Sequence, residues 1–298
     1  MKLSGISTDH PEKKKRVIVV GGGASGLMAA VTAAKKGAAV TVLEQNEKPG
    51  KKICATGNGK CNFTNIQEQT DAYRSENPGF EQDVLCQFSV EDTVRFFTRL
   101  GIYPVNKNNG YLYPHSGQAA SVAEVLCMEA RSLGVKIKTN ERVKQVSREN
   151  NSWKIYTESW NYEGDAVILA NGSKASAISG SDGSGYEIAA ALGHRIIEPL
   201  PALTALKCKN TGFSGWAGVR TEGKVTLFVD GKKITEETGE LQLTDYGISG
   251  IPVFQISRYG IRALNQGRNV TLNLNFLPEL SREQLMEFLE TRRKNCPY

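Results

Sequence analysis

A chain of 298 residues, 40% hydrophobic and 23% charged, has the composition of a soluble globular protein and the length of two domains rather than one. No apolar run approaches a membrane span, no apolar stretch follows the N-terminus as in a secretory leader, and six scattered cysteines without paired spacing argue against a disulfide-stapled or zinc-bound design. Of the net charge of +6, +3 sits in residues 1–16, which marks a flexible basic tail (residues 1–15) rather than a nucleic-acid-binding body. These features predict a cytoplasmic protein with reduced thiols, no bound metal, no membrane contact and no nucleic acid partner, and they leave the oligomeric state open.

In chain order, Arg16–Val20 (RVIVV) is an apolar, β-branched run of the kind buried on both faces of a parallel sheet. Gly21, Gly23 and Gly26 then form G-x-G-x-x-G where a strand should turn into a helix, predicted from Leu27 to Lys36 and closed by Gly37. Val40–Leu43 is a second buried strand that ends on Glu44. In such a βαβ unit the first glycine allows the tight turn, the second lets backbone approach a pyrophosphate, and the third lets helix and strand pack closely. Free N–H groups and the positive dipole end at the helix start favour phosphate, and the acid about twenty residues on can bind a ribose hydroxyl. The unit therefore predicts a dinucleotide site, and the Glu44 charge disfavours a 2′-phosphate.

The glycine- and asparagine-rich stretch from Gln45 to about Asn65 reads as a long functional loop without a helix. Cys54 and Cys61 do not have a zinc-ligand spacing, and Cys61 reads as packed rather than reactive. Ser89, with Asp92 three places on, predicts a capped helix whose apolar face is Val94, Phe97 and Leu100. Tyr103 to Tyr113 reads as a hairpin around Asn108-Asn109-Gly110, and Ala119 to Leu133 as a further helix. Val135–Lys138 is a parallel strand. Arg142–Ser147, Trp153–Thr157 and Trp160–Tyr162 form a meander with an Asn150-Asn151 turn, after which Asp165–Ala170 returns to the main sheet as a buried strand. Such a crossover is typical, by analogy of fold, of FAD-binding rather than NAD-binding halves.

The GSDGSG cluster at 180–185, before a helix at Tyr186–Leu192, has the wrong spacing and position for a second nucleotide fold and reads as a tight turn or part of a substrate mouth. Pro199-Leu200-Pro201 marks a boundary. Beyond it come strands at Val219–Thr221, Lys224–Val229, Lys232–Ile234 and Glu240–Leu243, a helix at Ile248–Tyr259, a strand at Val270–Phe276, and a capped helix Ser281–Lys294 with Leu285, Phe288 and Leu289 inward. The fold class is α/β: a Rossmann-like FAD-binding parallel sheet with a β-meander crossover (residues 16–198), plus an inserted α+β substrate or cap domain (residues 199–298).

GGGASG, GKKICATGNGKCNFTN, ANGS followed by GSDGSGYEIAAALGH, PLPALTAL and LTDYGISGIPVFQIS occur in that order. They resemble the FAD-binding flavoproteins that include aminoacetone oxidases and NAD(P)/FAD-dependent oxidoreductases, one branch of which comprises bile-acid reductases of gut bacteria. The resemblance runs from about Arg16 to the C-terminus. It implies that Gly21, Gly23, Ala24, Ser25 and Gly26 hold the FAD pyrophosphate and Glu44 the adenosine ribose. It also implies that Lys52, Thr56, Gly57, Asn58, Gly59, Cys61 and Asn62 line the phosphates and flavin, that Val143 meets adenine through its backbone, and that Ala170 and Gly172 close over the cofactor. Two departures stand out: Asn171-Gly172-Ser173 replaces a Thr-Gly-Gly, and the chain stops where members return to the FAD domain, so it reads as C-terminally truncated with an incomplete second domain.

The resemblance implies hydride transfer through flavin N5 to or from a small organic substrate, either enone reduction or amine or alcohol oxidation, with the flavin where the two domains meet and NAD(P)H as a transient donor. Sequence assigns no catalytic acid or base; His115, Tyr113, Tyr246 and Lys174 qualify only by type and loop position. Three other readings compete: an FAD-binding protein with an RNA- or partner-binding role, a non-catalytic fragment, and an NAD-linked dehydrogenase, the last opposed by the meander.

Overall fold

The computed structural model describes residues 13–67, 72–107, 110–209 and 215–296, and divides the chain into two compact units at Ile197/Glu198. Residues 1–12 of the basic tail and the hairpin residues Asn108 and Asn109 lie outside the described residues.

The first unit opens with β1 (Arg16–Val20), α1 (Ala24–Lys35) and β2 (Ala39–Leu43), joined in parallel register from Arg16↔Ala39 to Val20↔Leu43. There follow α2 (Lys51–Ala55), β3 (Thr64–Asn65), α3 (Phe80–Leu85), α4 (Val90–Arg99), β4 (Pro104–Lys107), β5 (Tyr111–Pro114), α5 (Ala119–Ser132) and β6 (Lys136–Lys138). The meander is β7 (Val143–Glu149), β8 (Ser152–Thr157) and β9 (Asn161–Gly164), and β10 (Ala166–Leu169) and α6 (Ser184–Ala191) complete the unit. The parallel sheet has the order β10-β1-β2-β6, so the chain leaves it after β6, makes the antiparallel meander β7-β8-β9, and re-enters beside β1.

Local chemistry accounts for most of these elements. Asn150 and Asn151 both adopt positive φ (46° and 65°), the two-residue turn that suits a twisted hairpin. Ser89 caps α4 by accepting the Asp92 N–H at 3.1 Å, while the Asp92 carboxylate accepts the Ser89 N–H, a reciprocal capping box.

Two readings of this unit are corrected. The 45–65 stretch contains α2: Gly50, left-handed at φ 75°, starts it, and Ile53 anchors it in the core under α5. Tertiary burial here overrides weak helix propensity. The strand at 165–170 is half-buried throughout because it lies at an edge of the sheet rather than inside it. The short helix α3, with no buried residue, has no counterpart in the periodicity.

The second unit contains β11 (Leu206–Lys207), β12 (Arg220–Val229), β13 (Lys232–Thr244), β14 (Gly247–Ser249), α7 (Ile251–Asn265), β15 (Val270–Asn275) and α8 (Arg282–Asn295). Its antiparallel sheet runs β11-β14-β13-β12-β15, with α7 packed on one face over Leu227, Leu241 and Ile248. The four strands read between 219 and 243 are two long ones, because Gly223 and Gly239 pair opposite each other inside the ladder instead of ending it. The helix read from Ile248 begins at Ile251, since the preceding glycine-rich residues form β14, paired between β11 and β13. α8 has its capping box on Ser281 and Gln284, yet Leu285 is only half-buried and Phe288 and Leu289 are exposed.

Candidate functional site

A cavity of about 620 Å³ opens at the carboxyl ends of β1 and β2, the position where parallel α/β sheets bind ligands. Its floor is the β1–α1 turn. Gly21 (φ 107°) lies under the end of β10, where a Cβ would stand 2.4 Å from the Ala170 carbonyl oxygen. Gly26 faces back into the turn, where a Cβ would meet the Gly21 carbonyl oxygen at 1.9 Å. Gly23 differs: its backbone is extended (φ −78°), and a Cβ would meet nothing within 4 Å. The space above Gly23 is open cavity.

α1 starts on Gly23 with no side chain capping it and no acid in its first turn, so its leading N–H groups and its positive dipole end have no side-chain partner among the described residues. Glu44, 6% exposed, forms the next wall. Its Oε2 accepts the Gly22 N–H at 2.7 Å, and its Oε1 accepts both the backbone N–H and the side-chain amide of Asn46 at 2.8 and 2.6 Å. A carboxylate offers about four lone-pair sites, so one on Oε2 remains for a ligand hydroxyl. Across the cavity, the Asn171 Oδ1 is buried without a partner. Uncapped N–H groups, open space over a glycine, a spare carboxylate lone pair and an orphan amide oxygen together fit a dinucleotide.

Of the residues assigned from sequence, Gly21, Gly23, Ala24, Ser25, Glu44, Lys52, Thr56, Cys61, Asn62, Val143, Ala170 and Gly172 line this cavity. Gly26, Gly57, Asn58 and Gly59 do not. Gly26 acts in packing, as above. Gly57, Asn58 and Gly59 (φ 56°, 53° and 79°) form an exposed left-handed turn that hydrogen-bonds onto itself, with the Thr56 carbonyl accepting the N–H groups of Gly59 and Cys61. This turn sets Cys61 and Asn62 at the wall. Burial pushes the Cys61 thiol up despite its hydrogen bond with Thr56, which leaves it a protonated, packed side chain. His115, Tyr113, Tyr246 and Lys174 are not part of the lining.

The sequence reading missed a clamp. Gln45 donates to the Gly180 carbonyl at 2.7 Å, and its Oε1 accepts from Arg142 at 2.6 Å. Arg142 also pairs with Asp182 at 2.7 Å. Burial alone would raise the Asp182 carboxyl, but the Ser184 N–H and hydroxyl and Arg142 bring it below the usual carboxylate range. The GSDGSG segment is thus fastened over the cavity beside Glu44, and the buried Ser181 accepts from Lys52 at 3.4 Å. A mostly apolar arm of the cavity is lined by Met28, Ile53, Phe63, Phe97 and Leu126, with Thr93 among them. Among the described residues no cluster of three metal-ligating side chains occurs, no helix is long and apolar enough to cross a membrane, and all six cysteines are free.

A family model for the HI0933-like protein Rossmann domain matches residues 15–262. The chain is 45% identical over 261 residues to the 3-dehydro-bile acid delta(4,6)-reductase of Clostridium scindens, covering 88% of this chain and 64% of that protein. It is 32% identical over 229 residues to the ribosomal RNA dihydrouridine synthase of Haemophilus influenzae (75% and 56% covered). To the Escherichia coli protein of the same name it is 27% identical over 264 residues (88% and 62% covered). The chain spans less than two thirds of the length of these curated relatives.

Proposed function

The chain belongs to the HI0933-like Rossmann-domain family, and on that premise we propose that it binds FAD in the first unit's cavity and serves as a flavin-dependent oxidoreductase. The observation that carries this reading is one continuous cavity joining an uncapped helix N-terminus, the Glu44 carboxylate and an apolar arm. FAD, when bound, supplies a two-electron carrier that can pass hydride through its flavin N5. In this reading the first turn of α1 and Lys52 hold the pyrophosphate, Glu44 accepts from the adenosine ribose, and the Val143 backbone meets adenine. The clamp of Gln45, Arg142 and Asp182 keeps the GSDGSG segment in place, and the apolar arm excludes water from the ring system.

For the substrate, we propose a carbon–carbon double bond conjugated with a carbonyl in a small organic molecule, as the name of the 45% identical relative suggests, with NAD(P)H as a transient donor. The two dihydrouridine synthases favour a second reading of the same chemistry, because the C5=C6 bond of uracil is also conjugated with a carbonyl. Purified protein mixed with FAD and freed of excess should show a bound-flavin spectrum, bleach under anaerobic NAD(P)H, and regain colour with an enone steroid. A colourless protein that rejects FAD overturns the cofactor; bound flavin that reacts with amines and not enones overturns the substrate class.

A further inference from the structure

Residues 173–182 form a strap at the Glu44 end of the first unit's cavity, bounded by two left-handed glycines, Gly172 (φ 80°) and Gly183 (φ 91°). Within it, Ser176 and Ser181 exchange backbone hydrogen bonds at 3.2 and 2.9 Å around a single 3-10 turn, Ala177–Ser179. The tip is therefore a closed loop that holds its own shape. What the strap lacks is an apolar anchor: Ala175, Ala177 and Ile178, its only apolar side chains, are all exposed. The contacts that fasten it to the rest of the unit are polar. Gln45 donates to the Gly180 carbonyl, Asn46 to that of Ser179 at 3.4 Å and Lys52 to the Ser181 hydroxyl, while Arg142 pairs with Asp182.

Two cavities flank the strap. Ser179, Gly180 and Ser181 line the first. A second, of about 400 Å³, is lined by Asn140, Glu158, Ala177 and Asp182 and shares Gln45, Asn46, Arg142 and Gly180 with the first, so the clamp is the partition between them. A segment with few buried apolar contacts opens at little free-energy cost. A strap beside a cavity also moves without displacing a close-packed core. The first cavity calls for such a movement, because Glu44 and Ser181 are only 6% and 5% exposed and the carboxylate is closed off from bulk solvent.

Resting on the FAD reading above, we propose that residues 173–182 are a gate that swings on Gly172 and Gly183 to admit and release the dinucleotide, with the Arg142–Asp182 ion pair as its latch. Asp182 is the informative half of the latch, because Arg142 lines the first cavity and Asp182 does not. Its carboxylate oxygens divide two tasks: Oδ1 accepts the Ser184 N–H at 3.0 Å, and Oδ2 takes Arg142 at 2.7 Å. Asp182→Asn keeps a carbonyl oxygen for Ser184 and removes the charge that faces Arg142. A gate has a kinetic signature that a binding residue lacks. Weakening its latch raises the open fraction with and without ligand, so association and release both quicken while affinity barely moves. Loss of a side chain that holds the ligand changes release and affinity together.

On the full chain, stopped-flow flavin fluorescence follows FAD association on mixing and release on dilution. Asp182→Asn should raise both rates about fivefold and leave the dissociation constant within about twofold of the wild type. Trypsin gives a readout that needs no flavin. Cleavage after Lys174, exposed within the strap, should be about fivefold faster in Asp182→Asn, while cleavage after the exposed Arg292 and Arg293 keeps the wild-type rate. Should the variant fail to fold, raising salt from about 50 mM to about 1 M should speed Lys174 cleavage of the wild type relative to the Arg292 site, because salt screens the latch. A chain that binds no FAD overturns the cofactor reading, and Lys174 cleavage then decides alone whether the strap opens. Bound FAD with unchanged rates, affinity that falls in step with faster release, or Lys174 cleavage that neither the variant nor salt alters would each overturn the gate.

Discussion

The two units use glycine to opposite ends. In the second unit, Gly223, Gly247 and Gly250 are each pressed against another strand: a Cβ would lie 2.9 Å from the Asn275 carbonyl oxygen, 2.2 Å from that of Leu206 and 2.4 Å from that of Glu240. Their absence of side chain closes a sheet around one apolar cluster. In the first unit the core is split into three clusters around a cavity, and the glycines of the β1–α1 turn divide between two tasks. Gly26 is compelled by its own fold, whereas a Cβ at Gly23 would meet nothing within 4 Å among the described residues. A glycine that the fold does not need, at the start of an uncapped helix, points to a ligand. That difference can be tested position by position.

The largest effect is expected at Gly26. Gly26→Ala places a methyl group 1.9 Å from a backbone oxygen that only a shift of the whole helix can relieve. A loss of about 3 kcal/mol or more is expected, seen as a lowered urea midpoint of the first unit. Gly250→Ala, strained at φ 107° and blocked by Glu240, should do comparable damage to the second unit. Near-native stability of either variant would show that the turn rearranges freely and would break the comparison.

Gly23→Ala should cost only about 1 kcal/mol of stability, since alanine is a poorer N-cap than glycine but its Cβ would meet nothing within 4 Å. FAD affinity should nevertheless fall on the order of a hundredfold, because the methyl group occupies the approach to the pyrophosphate. Flavin fluorescence titration beside a thermal melt separates the two quantities. A parallel loss of both would make Gly23 merely structural.

Glu44→Gln comes next. A glutamine carboxamide at this site offers a donor to Gly22 or Asn46, both of which already donate, so some stability is lost as well. The weakened ribose contact should reduce FAD affinity about tenfold. Equal affinity for the two proteins would remove Glu44 from the adenosine site.

How far these positions were legible follows from how local their causes are. The β1–α1–β2 unit can be read because an apolar run, three glycines and a terminal acid lie within thirty residues, each with a local role. Ser89 with Asp92, and Asn150 with Asn151, are equally local, as cap and turn. The clamp could not be read, because Gln45, Arg142 and Asp182 come from three distant segments, and the GSDGSG stretch that contains Asp182 does not name its partners. α2 was missed because Ile53 holds it from inside the core. The inward face assigned to α8 failed for the converse reason: its period is helical, but nothing among the described residues covers Phe288 or Leu289.

The smallest expected effect lies on the first unit's surface and separates its sheet from its cavity. Arg16, at the start of β1, holds Asp165 at 2.8 Å and Glu163 at 3.2 Å, and Lys154 from the meander holds Glu163 at 2.7 Å. Hydrogen bonds from Arg16 lower the Asp165 carboxyl to about 2, and those from Lys154 and then Arg16 lower Glu163 to about 2. Both carboxyls bind protons more readily in the unfolded chain, so their contribution is present above about pH 4.5 and is lost as the pH falls toward 2. The groups are exposed, so the effect is modest and shrinks with added salt. Asp165→Asn should therefore lower the melting temperature at pH 7 slightly and flatten its fall between pH 4.5 and 2, while FAD affinity at pH 7 stays unchanged because the network lies outside the cavity lining. A variant that loses FAD along with the acid-dependent stability would show that the sheet's surface and its ligand site are coupled, and that the first unit's cavity depends on more than the turn beneath it.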